Sequence, residues 1–260
     1  MDVIVVTLCF VLGLAFGSFA NVVIHRVPRN ESLVKPPSEC PKCETPLQWR
    51  DNVPLLSWLL LRARCRHCGE AISARYPLVE LATGLLFAGV GARFGADWAL
   101  PAFLLYAWTL LVLAVIDART RRIPNRLTYP LTPTLFVLLV AAAFLQGEPG
   151  WAVRSVIAGA VAFLLLLTMA VANPRGMGMG DVKLAAFIGL GLGYLGWAHL
   201  AFGVFAGFFL GGAVAIALLL ARRRGRKDLI PFGPYLAAGA LLTVLVGTPL
   251  IEGYLELLAP

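Results

Sequence analysis

The chain has 260 residues, of which 59% are hydrophobic, with a mean hydropathy of +0.82 and a formal net charge of +8. Soluble domains carry roughly 45–50% apolar residues, so the composition excludes an ordinary soluble protein and points to a polytopic membrane protein. The apolar runs are continuous rather than alternating, which argues against a β-barrel, and the basic residues fall in short blocks between them, which reads as topology signalling and not as a nucleic-acid surface.

A bilayer core of about 30 Å takes about 20 apolar residues per helix, and the predicted fold is all-α with about eight spans. The first covers residues 3–25; no positive region precedes Val3 and no small-residue cleavage site follows, so it is expected to be retained. On it Ser18, Asn21 and His25 recur at spacings of three and four, which puts them on one helix face. They form either a polar wall toward a substrate groove or ordinary hydrogen bonds between helices.

Residues 26–75 are the one long polar insertion and carry four of the five cysteines, as CPKC at Cys40 and Cys43 and CRHC at Cys65 and Cys68. Two such knuckles, 21 residues apart, can bring four thiolates onto one tetrahedral Zn2+. Disulfides are the competing reading, disfavoured on the reducing side of a membrane. With every ligand position taken by Cys, no place remains for a reacting water, so the zinc is expected to be structural. Pro41 and Gly69 suit the turns that aim each sulfur pair inward, and Cys9, in the first span, reads as a small hydrophobe. DNVPLLSWLLLR, Asp51 to Arg62, is too short to span and too apolar for a free loop, and is expected on the membrane surface or against the spans.

The second span runs from Tyr76 to Ala92 with Glu80 one turn inside its start. Glu80 either meets a cationic substrate group or a catalytic residue, or is an acid held near water by the helix dipole. The third span, Leu100 to Ile116, closes at Asp117, and Pro124 breaks any continuation. The fourth and fifth cover Leu127–Leu145 and Ala152–Ala172, followed by the glycine-rich GMGMGDVKL, Gly176 to Leu184. The sixth starts at Asp181 or just after it and runs through IGLGLGYLG; the seventh reaches Ala221, and the eighth begins at Ile230. Between these last two, the block Arg222 to Lys227 reads as a topology anchor, with anionic lipid as a further contact.

Charge tests this division. Nine Lys and Arg fall in residues 26–75, four in 119–126, two in 175–183 and five in 222–227, leaving only Arg93 and Arg154 on the opposite side. The positive-inside rule makes the four basic loops cytoplasmic and places Asp117 and Asp181 at the same, cytoplasmic, margin. Two carboxylates in a partly desolvated site share one proton, and the pair supplies the acid and the base that hydrolyse a peptide bond through an activated water. Gly176, Gly178 and Gly180 let backbone come close to a substrate strand and permit conformations closed to other residues, and Lys183 belongs to the same loop.

GSFANVVIHRVPR at 17–29, the two knuckles, NVPLLSWLLLRARCRHC at 52–68, YPLVELATG at 76–84, Asp117 with IPNRLT, GMGDVKL at 178–184 and IPFGPYLA at 230–237 together resemble the bacterial type IV prepilin peptidases. These are intramembrane aspartyl proteases of the GxGD type, and the resemblance covers nearly the whole chain. It implies that Asp117 and Asp181 are catalytic, and that prepilins and the pseudopilins of type II secretion are cut at the cytoplasmic face of the bacterial inner membrane. It also implies N-methylation of the new N-terminus with S-adenosylmethionine, an activity tied to the Cys-bearing segment. The expected organisation is a first helix (1–25), a zinc segment (26–75) and a protease core (76–260). Glu80, Asn21 and Ser18 are candidates for positioning the substrate. Membrane lipid is an expected partner and nucleic acid is not. Read without the resemblance, a glycine-broken transporter or a zinc-stabilised assembly factor also fits the residues.

Overall fold

The computed structural model describes residues 2–40, 42–173, 177–221 and 231–258. Its helices are α1 (Asp2–Arg26), α2 (Leu56–Leu60), α3 (Arg75–Phe94), α4 (Leu100–Thr120), α5 (Asn125–Leu145), α6 (Pro149–Ala172), α7 (Met179–Leu195), α8 (Trp197–Leu220) and α9 (Gly233–Leu258). Apart from the short α2, these occupy the eight predicted spans. Seven are long and apolar enough to cross a membrane. The eighth, α7, has 17 residues, about 26 Å at 1.5 Å per residue and at the lower limit for crossing. Among the described residues no strand forms beyond two isolated bridges, Glu39 to Pro46 and Arg64 to Ala71.

Contacts divide the chain into two compact units, Met1–Ala96 and Asp97–Pro260. In the first, α1 and α3 pack antiparallel through small residues. A Cβ on Gly17 would lie 2.6 Å from the Cα of Glu80, and one on Gly13 would lie 2.7 Å from the carbonyl oxygen of Thr83. In lipid, where the solvent is as apolar as the side chains, such close backbone approach is what associates helices. Arg26 ties down the start of the insertion, donating to the carbonyls of Ser32 (3.0 Å) and Pro36 (2.7 Å). Arg66 binds Asp51 at 2.7 Å and holds that carboxyl below the usual carboxylate range. The stretch between the knuckles meets α3 through the Leu55 N–H on Glu80 and α1 through Asn52 on Ser18, while Leu56, Leu59 and Leu60 stay exposed.

In the second unit α4 is central, with Phe103, Tyr106, Leu110 and Leu113 buried. The glycines of IGLGLGYLG let α7 lie against its neighbours: a Cβ on Gly189 would lie 2.6 Å from the carbonyl oxygen of Ala158 on α6, and one on Gly191 would overlap the ring of Tyr106. Arg154 of α6 closes the C-terminal end of α7, donating to the carbonyls of Gly193 (2.7 Å) and Tyr194 (2.5 Å). Gly196, at φ +150°, forms the joint between α7 and α8.

Two of the shifts from the sequence-based boundaries bear on the aspartates. Helix α4 does not close at Ile116 but runs to Thr120, because Thr120 donates back to the Ile116 carbonyl (2.9 Å) and Arg121 ends the helix at φ +53° with its N–H on the Asp117 carbonyl. Helix α7 starts at Met179, ahead of Asp181, so Gly180 is already helical. Gly176, Pro41 and the block Arg222 to Lys227 lie outside the described residues.

Candidate active site

Asp117 sits in the last turn of α4 and is buried, 5% exposed. Its Oδ2 accepts the backbone N–H of Gly233, the first residue of α9, at 3.1 Å. A side chain at that glycine would push the carboxylate aside: a Cβ would lie 2.8 Å from Asp117 Oδ2 and 3.3 Å from Ile123 Cδ1. The side chain of Ile123 also stands 3.1 Å from where a Cβ on Gly180 would be. Ile123 is thus wedged between the starts of α7 and α9, beside Asp117.

Asp181 lies in the first turn of α7, where the helix dipole favours an acid, and its Oδ2 accepts the N–H of Gly178 at 3.3 Å. The two carboxylates are close enough for their charges to interact. Two acids so placed can hold one proton between them and act on a water as base and acid.

The glycines work differently from the sequence-based expectation. Gly178 has ordinary extended dihedrals (φ −85°, ψ 152°) and Gly180 is helical, so neither uses a conformation closed to other residues. At Gly180 the close approach of Ile123 leaves little room: a Cβ there would make Ile123 give by a few tenths of an ångström. Lys183 turns to α5, where Nζ donates to Asn125 Oδ1 (2.9 Å) and Tyr129 Oη (3.2 Å). Sequence reasoning assigned no role to Gly233 or Ile123. Their signals were a Gly-Pro pair at the head of the last span and an Ile-Pro just past Asp117.

In the first unit the four cysteine sulfurs lie within 4.8 Å of one another. Cys40 and Cys68 are 3.8 Å apart, and Cys43 and Cys65 3.9 Å. Four bonds of about 2.3 Å to a tetrahedral ion place sulfurs roughly 3.8 Å apart, so the donor set fits such an ion and these spacings are not those of disulfides. Each knuckle is the same small hairpin. Cys40 N–H reaches Thr45 O and Glu44 N–H returns to Cys40 O; Cys65 N–H reaches Glu70 O and Gly69 N–H returns to Cys65 O. The hydroxyl and backbone amide of Thr45 pull the Cys43 thiol down to about 6. The Glu70 amide pulls Cys68 down too, but burial and the three neighbouring sulfurs outweigh it and push that thiol up to about 11. All four cannot ionise together without a cation among them.

Glu80 is buried in α3 and accepts the N–H of Leu55 at 2.8 Å. Asn21 bridges α1 and α3, donating to the carbonyls of Gly17 (3.3 Å) and Tyr76 (3.1 Å). Ser18 donates to Asn52 Oδ1 at 3.4 Å, and His25 meets Arg29 at the helix end. The predicted polar face therefore resolves into contacts with α3 and the insertion.

Fold and site together define a multi-pass helical membrane protein with an aspartate pair at two adjoining helix ends and a separate four-cysteine cluster. Residues 11–94 match the Bacterial Peptidase A24 N-terminal domain, and residues 104–216 match the Type IV leader peptidase family. A prepilin leader peptidase/N-methyltransferase of Aeromonas hydrophila is 37% identical, with the match covering 96% of this chain and 93% of the relative. A protein of the same name from Bacillus subtilis is 34% identical over 96% of this chain and 98% of its own. Another, from Myxococcus xanthus, is 43% identical over 83% of this chain and 63% of its own. No solved structure gives a significant match. The chain belongs to the type IV leader peptidase family.

Proposed function

We propose that this protein cleaves the leader peptide from type IV prepilins and pseudopilins and N-methylates the new N-terminus. Asp117 and Asp181 are the catalytic pair. The observation that carries this reading is that Ile123 packs against both Gly180, beside Asp181, and Gly233, whose N–H anchors the buried Asp117, so acids on two separate helices meet around one side chain. In the reaction, one aspartate takes a proton from water as its oxygen attacks the scissile carbonyl carbon, and the other protonates the carbonyl oxygen. The tetrahedral intermediate then breaks its C–N bond, and a proton passes to the leaving amine. The products are a leader carboxylate and a free amine.

The same reading places the chain in the bacterial inner membrane with the aspartates toward the cytoplasm, the protease core within residues 76–260, and lipid around the spans. Cys40, Cys43, Cys65 and Cys68 hold a structural Zn2+ that keeps residues 26–75 folded. S-adenosylmethionine supplies the methyl group. Among the described residues no glycine-rich loop follows a strand, so no nucleotide cradle of that kind is assigned and no step is drawn through the donor.

The test is to incubate the purified protein in nanodiscs with a prepilin and methyl-labelled S-adenosylmethionine, beside Asp117→Asn and Asp181→Asn. Shortened, labelled product from wild type and uncut substrate from both variants is the expected result. Cleavage by both variants would overturn the acid pair.

A further inference from the structure

Glu80 and Asn21 form a chemical unit that the cleavage mechanism does not use. They lie about one turn apart along the antiparallel pair α1 and α3: Gly17 backs onto the Cα of Glu80, and Asn21, one turn further along α1, binds the Tyr76 carbonyl, one turn earlier on α3. Asn21 is 3% exposed and Glu80 9%. Both Asn21 donor bonds are made, but its Oδ1 is buried with no partner. Glu80 uses Oε2 to accept Leu55 N–H, and among the described residues no cation is paired with it. Arg75, beside Tyr76, is turned over that tyrosine's ring, 5.1 Å from its centroid. At the open side, Asn52 Oδ1 adds another acceptor and Ser18 a hydroxyl.

Buried acceptors in native proteins are satisfied, and buried charges are paired. Here a carboxylate lacks a cation and, about one helical turn away, an amide oxygen lacks a donor. One group answers both needs: a protonated amine or guanidinium, which carries positive charge and several N–H donors and no acceptor. We propose that Glu80 and Asn21, with Ser18 and Asn52 at the mouth, form a binding site for a cationic N–H donor of the substrate. This rests on the leader-peptidase reading, whose chemistry offers two sources: Lys or Arg side chains of the leader, or the ammonium group freed at the new N-terminus.

The strained turn at Leu55 supports a built site. Leu55 has φ +59° and ψ −49°, a rare backbone conformation for a branched residue, with Leu56 N–H turned onto Pro54 O at 2.6 Å. The carboxylate of Glu80 holds that turn and brings Asn52 to the mouth.

Glu80→Gln is the informative substitution, because the amide oxygen still accepts Leu55 N–H while the charge is gone; Asn21→Leu removes the orphan acceptor. Each variant in nanodiscs is checked for bound zinc and then assayed three ways. One arm cleaves a prepilin with its basic leader, the second cleaves the same substrate with leader Lys and Arg changed to Ala, and the third methylates a pre-cleaved pilin with a free N-terminus. A rise of about tenfold in KM in the first arm, with kcat kept and the second arm unchanged, assigns the site to the leader. A comparable loss confined to the third arm assigns it to the new amine. Variants that match wild type in all three arms overturn the site and leave the proposed function intact, with Asn21 Oδ1 then satisfied by water alone. Wild type that neither cleaves nor methylates overturns the proposed function itself.

Discussion

Asp117 and Glu80 are held in the same way and differ in what stands nearby. Each is a buried carboxylate within a span, and each gives one oxygen to a backbone N–H from a distant segment, Gly233 for Asp117 and Leu55 for Glu80. Near Asp117 is a second acid; about one helical turn from Glu80 is an amide with a spare oxygen. The anchoring amide fixes where a carboxylate points, and the group nearby decides its chemistry. Two acids share a proton and can move it, whereas a lone acid among acceptors is suited to hold a cation.

Breaking the acid pair has the largest effect. Asp117→Asn or Asp181→Asn should lower kcat for cleavage by about 10²–10⁴-fold, measured by gel-shift of a prepilin at equal enzyme levels. Moving the anchor comes next. Gly233→Ala pushes a methyl group into Asp117 Oδ2, and a displacement of that order should cost about tenfold to a hundredfold in kcat, with the thermal melting profile showing that α9 still packs.

Removing the metal tests the contrast from the other unit. Chelation, or Cys43→Ser, should open residues 26–75 to limited proteolysis while the spans stay protected in the bilayer. Its pH dependence has a definite sign. With its thiol lowered to about 6, Cys43 keeps its stabilising charge above the ordinary thiol range of about 8.5 and loses it as pH falls through about 6. Zinc release followed with a colorimetric chelator should therefore rise as pH falls, with its midpoint below that value because the bound ion itself keeps the thiolates deprotonated. The smallest effect separates the two knuckles. Glu44 and Gly69 occupy equivalent positions at φ +54° and +70°, so Glu44→Gly should raise stability by up to about 1 kcal/mol, while Gly69→Ala should lower it by a similar amount.

The spans and the cysteine cluster were legible in the sequence because their signals are local. Twenty apolar residues make a span wherever they occur, and C-x2-C fixes a knuckle within a few residues. Asp117 and Asp181 were legible as acids at the ends of apolar runs. The anchors were not. Gly233 is 116 residues from Asp117, and a glycine that serves through its N–H and its missing Cβ looks like any other helix-start glycine. Glu80 was visible, but its anchor was not: Leu55, 25 residues away in an irregular turn, holds it through a backbone N–H. The glycines beside Asp181 suggested unusual dihedrals, which neither Gly178 nor Gly180 adopts, and only at Gly180 does a neighbour, Ile123, leave little room for a side chain.

The brevity of α7 has a consequence for water. Arg154 fastens one end of this 17-residue helix, so its length of about 26 Å falls some 4 Å short of a typical hydrocarbon thickness of about 30 Å. The sides of α7 are covered by protein, with Val182, Leu184, Phe187, Ile188 and Leu192 all buried, so the shortfall at the Asp181 end is met by water among the longer neighbouring helices and not by lipid.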